Sequence, residues 1–294
     1  MPELPEVETV RRMLESHLLG RTVRSVRLSG ARLREPVPST LPRRIRGRTL
    51  TQVRRHGKYL LIDLSGGLTM VSHLGMSGRW LFHAEPPAVP LLHVHARLAF
   101  ADGSQLWFQD PRRFGVLRVV PTRRLAADRA LALLGPDPLA TPPTGAGLAE
   151  LARGARVSAK NFLLDQRRIA GVGNIYASEI LHRARVDPRR AAGRLAVIEW
   201  GAVAAEMTKV LNEAIARMGT TFSMYRTLWN EPGTYGEKLR VYDRANQPCR
   251  RCHTPIRRIV QGQRSTFFCP SCQPPRPAAA GTRRDVTRSR ANRG

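Results

Sequence analysis

Residues Cys249 to Cys272, CRRCHTPIRRIVQGQRSTFFCPSC, contain all four cysteines of the chain, arranged as two Cys-x-x-Cys pairs. Sixteen residues separate the pairs, and among them Arg264-Ser-Thr-Phe-Phe268 is a short run typical of a hairpin strand. Two such pairs can place four thiolates at the corners of a tetrahedron, the geometry of closed structural zinc sites. Two disulfides are the alternative, but cytosolic proteins rarely keep them. The stretch therefore predicts a zinc ribbon whose single structural ion is bound by Cys249, Cys252, Cys269 and Cys272.

The composition of the whole chain indicates a polyanionic partner. There are 49 basic and 22 acidic residues among 294, which gives a net charge of +27, and the apolar content of 42% is that of a globular protein. No apolar run approaches the roughly 20 residues of a membrane span, and the N-terminus lacks the features of a signal peptide. We therefore expect a cytoplasmic protein that binds nucleic acid and no membrane. A solvated basic surface without such a partner is the alternative.

Upstream of the ribbon, the apolar periodicity predicts one β-rich and one helical region. Residues 3–19 carry a helical stripe, and short β-rich runs follow up to Pro121, with hairpin-turn signals at 65–67 and 102–103. Helical patterns return over 148–153, 159–168, 175–185 and 196–218. These patterns predict an α+β protein whose parts are an N-terminal helix with a β-sandwich domain over 2–134, a linker over 135–147, a helical domain over 148–236, the ribbon over 237–272 and a disordered basic tail over 273–294.

The first six residues, Met1-Pro-Glu-Leu-Pro-Glu6, combine a small second residue with two carboxylates. Removal of the initiator methionine would expose a secondary amine at Pro2, and an α-amino group titrates near pH 8, so a neutral, nucleophilic fraction exists at pH 7. Attack on a sugar aldehyde carbon gives an iminium, which acidifies the adjacent carbon and favours β-elimination. Glu3 and Glu6 lie one turn apart at the helix start. Proline in a first helical turn followed by acidic residues is the structural alternative.

Four other segments carry weaker indications of chemistry. Lys58 belongs to a minority of lysines among arginines and, unlike arginine, can lose its proton. Met76 lies between glycines at a predicted hairpin turn over 71–78, where it could enter a base stack or fill a core. The loop 110–115, DPRRFG, combines guanidinium groups with an aromatic ring. Asn174 is a candidate N-cap after two glycines, at a helix whose free amides could hold a phosphate or merely end a turn.

Taken in order, these segments resemble the formamidopyrimidine-DNA glycosylase family of bifunctional base-excision repair enzymes. The resemblance runs from MPELPEVETVRR through GKYLL, HLGMSG, DPRRFG, LGPDPL and LLDQRRIAGVGNIYASEIL to VYDR and the cysteine pairs. It implies a helix–two-turn–helix module in the helical half. It also implies excision of oxidised purines (8-oxoguanine and formamidopyrimidines) from duplex DNA, followed by strand cleavage by β,δ-elimination through a Schiff base. We expect a monomer in a bacterial cytoplasm, at the nucleoid, since one everted nucleotide needs one site.

The resemblance also implies a role for each matched residue. Pro2 would be the Schiff-base nucleophile, Glu3 the proton donor and Lys58 the proton donor for β-elimination. Arg264 would serve δ-elimination and phosphate binding, and Glu6 would be a further carboxylate of the site. The attacked sugar carbon is inaccessible in a stacked duplex, so the nucleotide must be everted. The residues expected to fill the gap are Met76, Arg112 and Phe114, and those expected to contact the DNA backbone are His93, Arg112, Arg156, Lys160 and Asn174.

Three segments depart from the family pattern, and two alternative functions remain. The departures are TTFSMYRTLW at 220–229, where the family has a loop over the everted base, the long tail beyond Cys272, and the proline-rich surroundings of His93. An endonuclease VIII-type enzyme for oxidised pyrimidines is the nearer alternative, although PELPE and DPRRFG favour the purine enzyme. A non-catalytic zinc-ribbon DNA-binding protein is the other, although the presence of Pro2, Glu3, Lys58 and Arg264 argues against it.

Overall fold

The computed structural model describes residues 1–89, 91–221 and 225–275, and the predicted tail from residue 276 onward lies outside the described residues. The N-terminal half consists of a long helix, a short helix and two four-stranded antiparallel sheets of order β1-β6-β7-β5 and β2-β3-β4-β8. Its elements are α1 Leu4–Leu18, β1 Val23–Leu28, α2 Leu41–Ile45, β2 Leu50–His56, β3 Tyr59–Leu64, β4 Leu68–His73, β5 Arg79–His83, β6 Val94–Phe100, β7 Gln105–Gln109 and β8 Val116–Pro121.

Alternating apolar residues from both sheets enclose one shared core, which includes Ile62, Trp80 and Phe108. The two hairpin turns predicted at 65–67 and 102–103 are confirmed, because β3 pairs with β4 and β6 pairs with β7. The hairpin predicted over 71–78 is wrong. Strands β4 and β5 belong to different sheets, so the turn that carries Met76 is a corner between the sheets, closed by a hydrogen bond of 2.8 Å from Gly78 N to Leu74 O.

The C-terminal half contains helices α3 Gly145–Leu151, α4 Ala159–Leu164, α5 Asn174–Arg183 and α6 Val197–Ala216, followed by the ribbon strands β9 Arg257–Gln261 and β10 Arg264–Phe268. Helix α4 is shorter than the predicted 159–168, because Asp165 ends it and binds Arg167 with its carboxylate. Among the described residues, no helix is both long enough and apolar enough to cross a membrane. The predicted α+β class, with its helical module and ribbon, is confirmed.

Helix α1 connects the two halves. Leu4 packs in the core of the helical half, whereas Val7, Val10 and Leu14 pack in the core of the sandwich. The connection is reciprocal, because Leu228 from the C-terminal half is fully buried in the sandwich core. The start of α1 is therefore held at the junction of the halves, and this junction positions the candidate site.

The ribbon brings its four cysteine sulfurs within 4.8 Å of one another. A Zn–S bond of about 2.3 Å places tetrahedral ligands roughly 3.8 Å apart. The sulfur separations of 3.4 Å between Cys252 and Cys269 and 3.9 Å between Cys249 and Cys272 fit one structural zinc ion, as predicted. The ribbon extends to Gln273. The sequence predicts that this residue belongs to the tail, but it is buried and donates a hydrogen bond of 2.8 Å to Val186 O.

Candidate active site at the start of helix α1

Glu6 is buried in the first turn of helix α1, with only 1% of its surface exposed. Its Oε2 accepts a hydrogen bond of 2.8 Å from Glu3 N, and its Oε1 accepts one of 2.7 Å from Thr220 N and another from the Tyr176 hydroxyl. Burial, followed by the charge of Glu3, raises the pKa of Glu6 to about 7, although these three hydrogen bonds oppose the change. Glu6 thus joins α1 to α5 and to the segment after α6, and it titrates near neutral pH.

The carboxylate of Glu3 caps helix α5. Its oxygens accept hydrogen bonds of 3.0 Å from Ile175 N and 3.4 Å from Tyr176 N. The approach is close enough that a Cβ at Gly173 would lie 2.3 Å from the Glu3 Cδ, which explains the glycine at this position. The prediction that Asn174 is the N-cap is wrong: Gly173 is the N-cap, and the amides expected to hold a phosphate bind Glu3 instead.

Lys58 occupies the two-residue turn between β2 and β3 and is 6% exposed. The turn requires a left-handed backbone at Gly57, with φ of 56°, and Gly57 N donates to Asp137 Oδ2 over 2.8 Å. Asp137 also pairs with Arg55, so a residue of the predicted linker fixes the lysine turn. Burial lowers the pKa of Lys58, while the charge of Glu3 raises it and that of Arg264 lowers it. The lysine therefore loses its proton more readily than an exposed one.

An open cavity of about 510 Å³ lies in front of these groups. Its lining comes from the chain start, α5, the segment after residue 241 and the ribbon hairpin, namely Met1, Glu3, Asn174, Ile175, Tyr242, Asp243, Arg264 and Ser265. Pro2 is buried behind the half-exposed Met1, and burial lowers the pKa of the Met1 ammonium despite the nearby Glu3. Elements more than 250 positions apart in sequence thus converge on the N-terminus.

The ribbon hairpin is attached to the helical half next to Arg264. Lys160 Nζ donates to Ser265 O over 2.7 Å and to Thr266 Oγ1 over 2.8 Å, and Asn174 Nδ2 donates to the same Ser265 O over 3.1 Å. Lys160 is fully buried, and burial lowers its pKa to about 7. In this structure Lys160 faces the ribbon, whereas Arg264 at the start of β10 is exposed.

Met76, Arg112 and Phe114 form one exposed cluster, although the first and the last are 38 positions apart in the sequence. The Arg112 guanidinium lies 5.0 Å from the centre of the Phe114 ring, and Arg112 N donates to Ser77 Oγ over 3.1 Å. The two loops touch so closely that a Cβ at Gly75 would lie 2.5 Å from the backbone of Phe114. An apolar side chain, a guanidinium and a ring are thus presented together.

His93 and Arg156 are both exposed, but only His93 is tied to this cluster. The His93 carbonyl accepts a hydrogen bond of 2.9 Å from Asp110 N, which places His93 beside the 110–115 loop. Arg156 lies between α3 and α4, and no hydrogen bond or ion pair within the described residues links it to the cavity. Of the departing segment 220–229, residues 222–224 lie outside the described residues.

Sequence reasoning missed three residues that build the site. Tyr176 binds Glu6, Tyr242 lines the cavity, and Glu179 accepts hydrogen bonds of 2.8 to 2.9 Å from the backbone amides of residues 240–242. Glu179 could have been found, because a carboxylate on the apolar face of a predicted buried helix requires donors from elsewhere. Tyr242 follows no periodic pattern, and only the tertiary structure places it.

Comparisons with known proteins agree along the chain. The formamidopyrimidine-DNA glycosylase N-terminal domain matches residues 1–117, its H2TH domain matches 134–226, and the zinc finger found in FPG and IleRS matches 246–275. The formamidopyrimidine-DNA glycosylases of Methylococcus capsulatus and Bordetella pertussis are 46% and 45% identical to 93% of this chain, which spans 100% and 99% of their lengths.

Solved structures give the same result at the level of the fold. The MutM (Fpg) protein of Thermus thermophilus superimposes with a TM-score of 0.81 at 40% identity, covering 92% of this chain and 98% of its own. The Lactococcus lactis Fpg in complex with abasic-site DNA superimposes with a TM-score of 0.85 at 30% identity, covering 93% of this chain and 100% of its own. The chain therefore belongs to the formamidopyrimidine-DNA glycosylase family.

Proposed function

We propose that this protein is a base-excision repair enzyme that removes 8-oxoguanine or formamidopyrimidines from duplex DNA and then cuts the strand at the abasic site. The observation that carries the proposal is the convergence of Glu3, Lys58 and Arg264 around the start of the chain, in and beside one open cavity. The names of the relatives support the substrate class, and a mutant of the Lactococcus lactis Fpg has been crystallised with a Fapy-dG containing DNA.

The proposed nucleophile is the Pro2 nitrogen after removal of Met1. Its lone pair forms a bond to the sugar C1′ while the bond from C1′ to the base breaks, and the amine proton leaves with the base. Opening of the sugar ring, with a proton delivered to O4′ from Glu3, then gives a cationic iminium. Burial lowers the pKa of the Met1 ammonium, and a lowered pKa of the terminal amine is what favours the neutral form that attack requires.

Lys58 is the proposed proton donor for β-elimination. Loss of a proton from C2′ of the iminium breaks the bond from C3′ to its phosphate oxygen, and an ammonium beside that oxygen can protonate the departing phosphate. The lowered pKa of the buried Lys58 makes this transfer easier than from an exposed lysine. Glu6 is proposed as the carboxylate that holds α1, and so Pro2, in place through Glu3 N and Thr220 N.

Arg264 is the proposed phosphate ligand and assists δ-elimination, in which the bond from C5′ to its phosphate breaks. Its position follows from the ribbon, because Lys160 and Asn174 hold the adjacent Ser265 carbonyl.

The zinc ion is structural: four thiolates leave no coordination position for water. Cys249, Cys252, Cys269 and Cys272 therefore act on the reaction only by holding the hairpin that carries Arg264.

The exposed cluster of Met76, Arg112 and Phe114 is proposed to fill the space left by the everted nucleotide. An unbranched apolar side chain and an aromatic ring can stack against the unpaired base, and the guanidinium can bind a phosphate. His93, next to this loop, and Asn174, at the cavity, are proposed backbone contacts, as are Arg156 and Lys160. Lys160 is buried, so it can contact DNA only if its hydrogen bonds to Ser265 O and Thr266 Oγ1 on the ribbon hairpin break.

The same proposal includes a monomeric state and a domain division over 2–134, 135–147, 148–236 and 237–273, in which the buried Gln273 extends the predicted ribbon by one residue. The proposed catalytic groups in and beside this cavity all come from a single chain, so the site needs no second copy. Relatives from bacteria support a bacterial origin and a place of action on chromosomal DNA. Size-exclusion chromatography with light scattering checks the monomer, for which a mass near 32.8 kDa is expected.

Borohydride trapping with untagged protein tests the chemistry, because reduction of the iminium leaves a stable covalent adduct. The duplexes carry 8-oxoguanine opposite cytosine, thymine glycol, or an abasic site. We expect an adduct on the 8-oxoguanine duplex that peptide mass maps to Pro2. A protein with an uncleaved N-terminal tag should bind the duplex without an adduct, and the same tag at the C-terminus is the matched control.

The duplexes separate the parts of the proposal. An adduct only on the thymine-glycol and abasic duplexes would overturn the purine substrate and retain the Pro2 mechanism. Failure to form any adduct, with Met1 shown by mass spectrometry to be removed, would overturn the enzymatic proposal and leave a DNA-binding protein.

A further inference from the structure

A second cavity, of about 690 Å³, lies at the opposite end of helix α5 from the candidate active site. Asn174 at the first turn of α5 lines the active-site cavity, whereas His182 and Arg183 at the last turn line the second one. At 1.5 Å per residue, the two ends of this helix are roughly 14 Å apart. The second cavity is lined by His182, Arg183, Glu213, Arg217, Lys238, Arg240, Arg250 and Arg251.

The lining of this cavity is strongly cationic. Six of its eight residues are arginine or lysine, and the single carboxylate, Glu213, already accepts hydrogen bonds of 2.9 and 2.7 Å from Arg183. Within the described part of the chain, Arg217, Lys238, Arg240 and Arg251 form no salt bridge with an acidic residue. Cations that surround one cavity repel each other unless an anion lies between them.

Two buried side chains on this wall carry polar atoms that have no partner within the described residues. Arg183 has 6% of its side chain exposed, and its Nε has no hydrogen-bond partner, although both terminal nitrogens are bonded to Glu213. His182 is 2% exposed; its Nε2 lies 3.6 Å from Cys249 Sγ, and its Nδ1 has no partner. Unpartnered buried polar atoms are uncommon because each costs free energy. The Arg183 Nε–H can only donate, so an acceptor is what completes it.

We propose that this cavity binds a phosphate group. Guanidinium groups match the oxygens of a phosphate through paired hydrogen bonds, and several uncompensated cations suit a multiply charged anion better than a carboxylate. The tail sequence over 273–294 holds six arginines and one aspartate, so its net charge has the same sign as that of the cavity. The phosphate belongs either to DNA extending beyond the lesion or to a free phosphorylated molecule. The site is separate from the active site, so it stands or falls independently of the proposed glycosylase chemistry.

The test compares zinc-loaded wild type with an Arg240→Gln/Arg251→Gln double variant. The matched control is Arg123→Gln/Arg124→Gln, which removes the same charge from two arginines elsewhere on the surface. Calorimetric titration with pyrophosphate at low salt is expected to show one saturable site in the wild type and the control, and at least tenfold weaker binding in the double variant. A zinc assay shows that the ribbon of each variant is intact.

DNA binding is then measured on short and long duplexes carrying a non-cleavable abasic analogue, over a range of salt concentrations. If DNA supplies the phosphate, the double variant should depend less steeply on salt than the wild type when it binds the long duplex. The slope of log affinity against log salt concentration should then be smaller by about 1 for each phosphate contact that is lost, and it should not change on the short duplex. Pyrophosphate binding with an unchanged slope would identify a free anion as the ligand. Equal pyrophosphate binding and equal slopes in all three proteins would overturn the proposal. Trapping on a short abasic duplex at saturating protein should be unchanged, which separates this result from a failure of the active site.

Discussion

Substitution of Glu179 tests whether one buried carboxylate holds the chain that leads from the active-site cavity into the ribbon. Glu179 is fully buried on α5. Its Oε1 accepts hydrogen bonds of 2.9 Å from both Val241 N and Tyr242 N, and its Oε2 accepts one of 2.8 Å from Arg240 N. Burial raises the pKa of Glu179, while these three bonds lower it. The backbone of 240–242 thus depends on a side chain 61 positions earlier.

The expected cost follows from the number of bonds that each variant keeps. Glutamine retains two of them through its carbonyl oxygen but turns its amide group toward the Arg240 N–H. Losing one hydrogen bond to a charged group costs about 1.5–3 kcal/mol, so we expect Glu179→Gln to lower the free energy of unfolding by about 2 kcal/mol. Alanine removes the acceptor of all three bonds, of which the one from Val241 N is buried and the other two are part-buried. An unsatisfied amide costs about 1–3 kcal/mol, with the part-buried ones at the low end, so we expect a loss of about 4 kcal/mol for Glu179→Ala.

Urea unfolding of the zinc-loaded proteins, followed by circular dichroism at pH 7.5, measures these losses. Glu150→Gln is the control, since Glu150 is an exposed carboxylate on α3 whose pairing with Arg153 contributes less than about 0.5 kcal/mol. We also expect Glu179→Ala to slow trapping on an abasic duplex, because Tyr242 lines that cavity. Equal losses for the glutamine and alanine variants, or losses no larger than that of the control, would refute the reasoning.

Three further predictions concern other parts of the molecule. Burial lowers the pKa of His73 to about 3, whereas a histidine in the unfolded chain titrates near 6.5. The buried neutral form therefore contributes stability that is fully present above pH 6.5 and is lost as the pH falls below it. In urea unfolding, the free energy of unfolding of the wild type should fall by about 2 kcal/mol more than that of His73→Gln between pH 7.5 and 5. The Trp229 ring packs edge-on against the Phe82 ring, with 5.2 Å between the ring centres, next to the hydrogen bond from Phe82 N to Leu228 O. Trp229→Ala should therefore lower the free energy of unfolding by about 1–2 kcal/mol in urea unfolding, and Trp229→Phe should lower it less. Removal of zinc by a chelator should abolish strand cleavage, since Arg264 loses its support, while the helical signal in circular dichroism largely remains.

Each of these predictions has an outcome that contradicts it. A pH dependence of stability that is the same in wild type and His73→Gln would show that this histidine is not buried in its neutral form. If Trp229→Ala unfolds at the wild-type urea concentration, the aromatic packing between the halves contributes nothing. A metal-free protein that still cleaves an abasic duplex at the wild-type rate would show that the ribbon is not needed to hold Arg264.

Much of the fold could be predicted because its signals are local. The Gly-containing turns at 65–67 and 102–103 require particular backbone conformations, and the strands on either side of each turn pair as expected. The same logic fails at Met76. A glycine-bearing turn between two strands indicates only that the chain reverses there, and the sequence does not say that the second strand joins the other sheet.

Candidate site residues could be named one by one from the sequence, but their arrangement could not. Pro2 and Lys58 stand out by position or chemical type and Arg264 only through the family resemblance, yet nothing local indicates that the three lie close together. Asn174 shows the limit most directly: the sequence before it favours a self-capped helix, whereas the cap comes from Glu3, more than 170 positions away. A capping partner from another element can be found only once packing brings the two helices together.

The sequence by itself determined the elements whose signals lie within a few residues of one another: the strand alternation, the helical stripes, and the cysteine spacing that specifies a zinc ribbon. The tertiary structure alone decided the electrostatics. The pKa of Glu6 is about 7 and that of Lys58 is lowered because segments distant in the sequence bury both side chains. Six cationic side chains line one cavity because the fold brings their separate segments together. Desolvation and charge–charge energies depend on distance in space, and a linear sequence does not contain those distances.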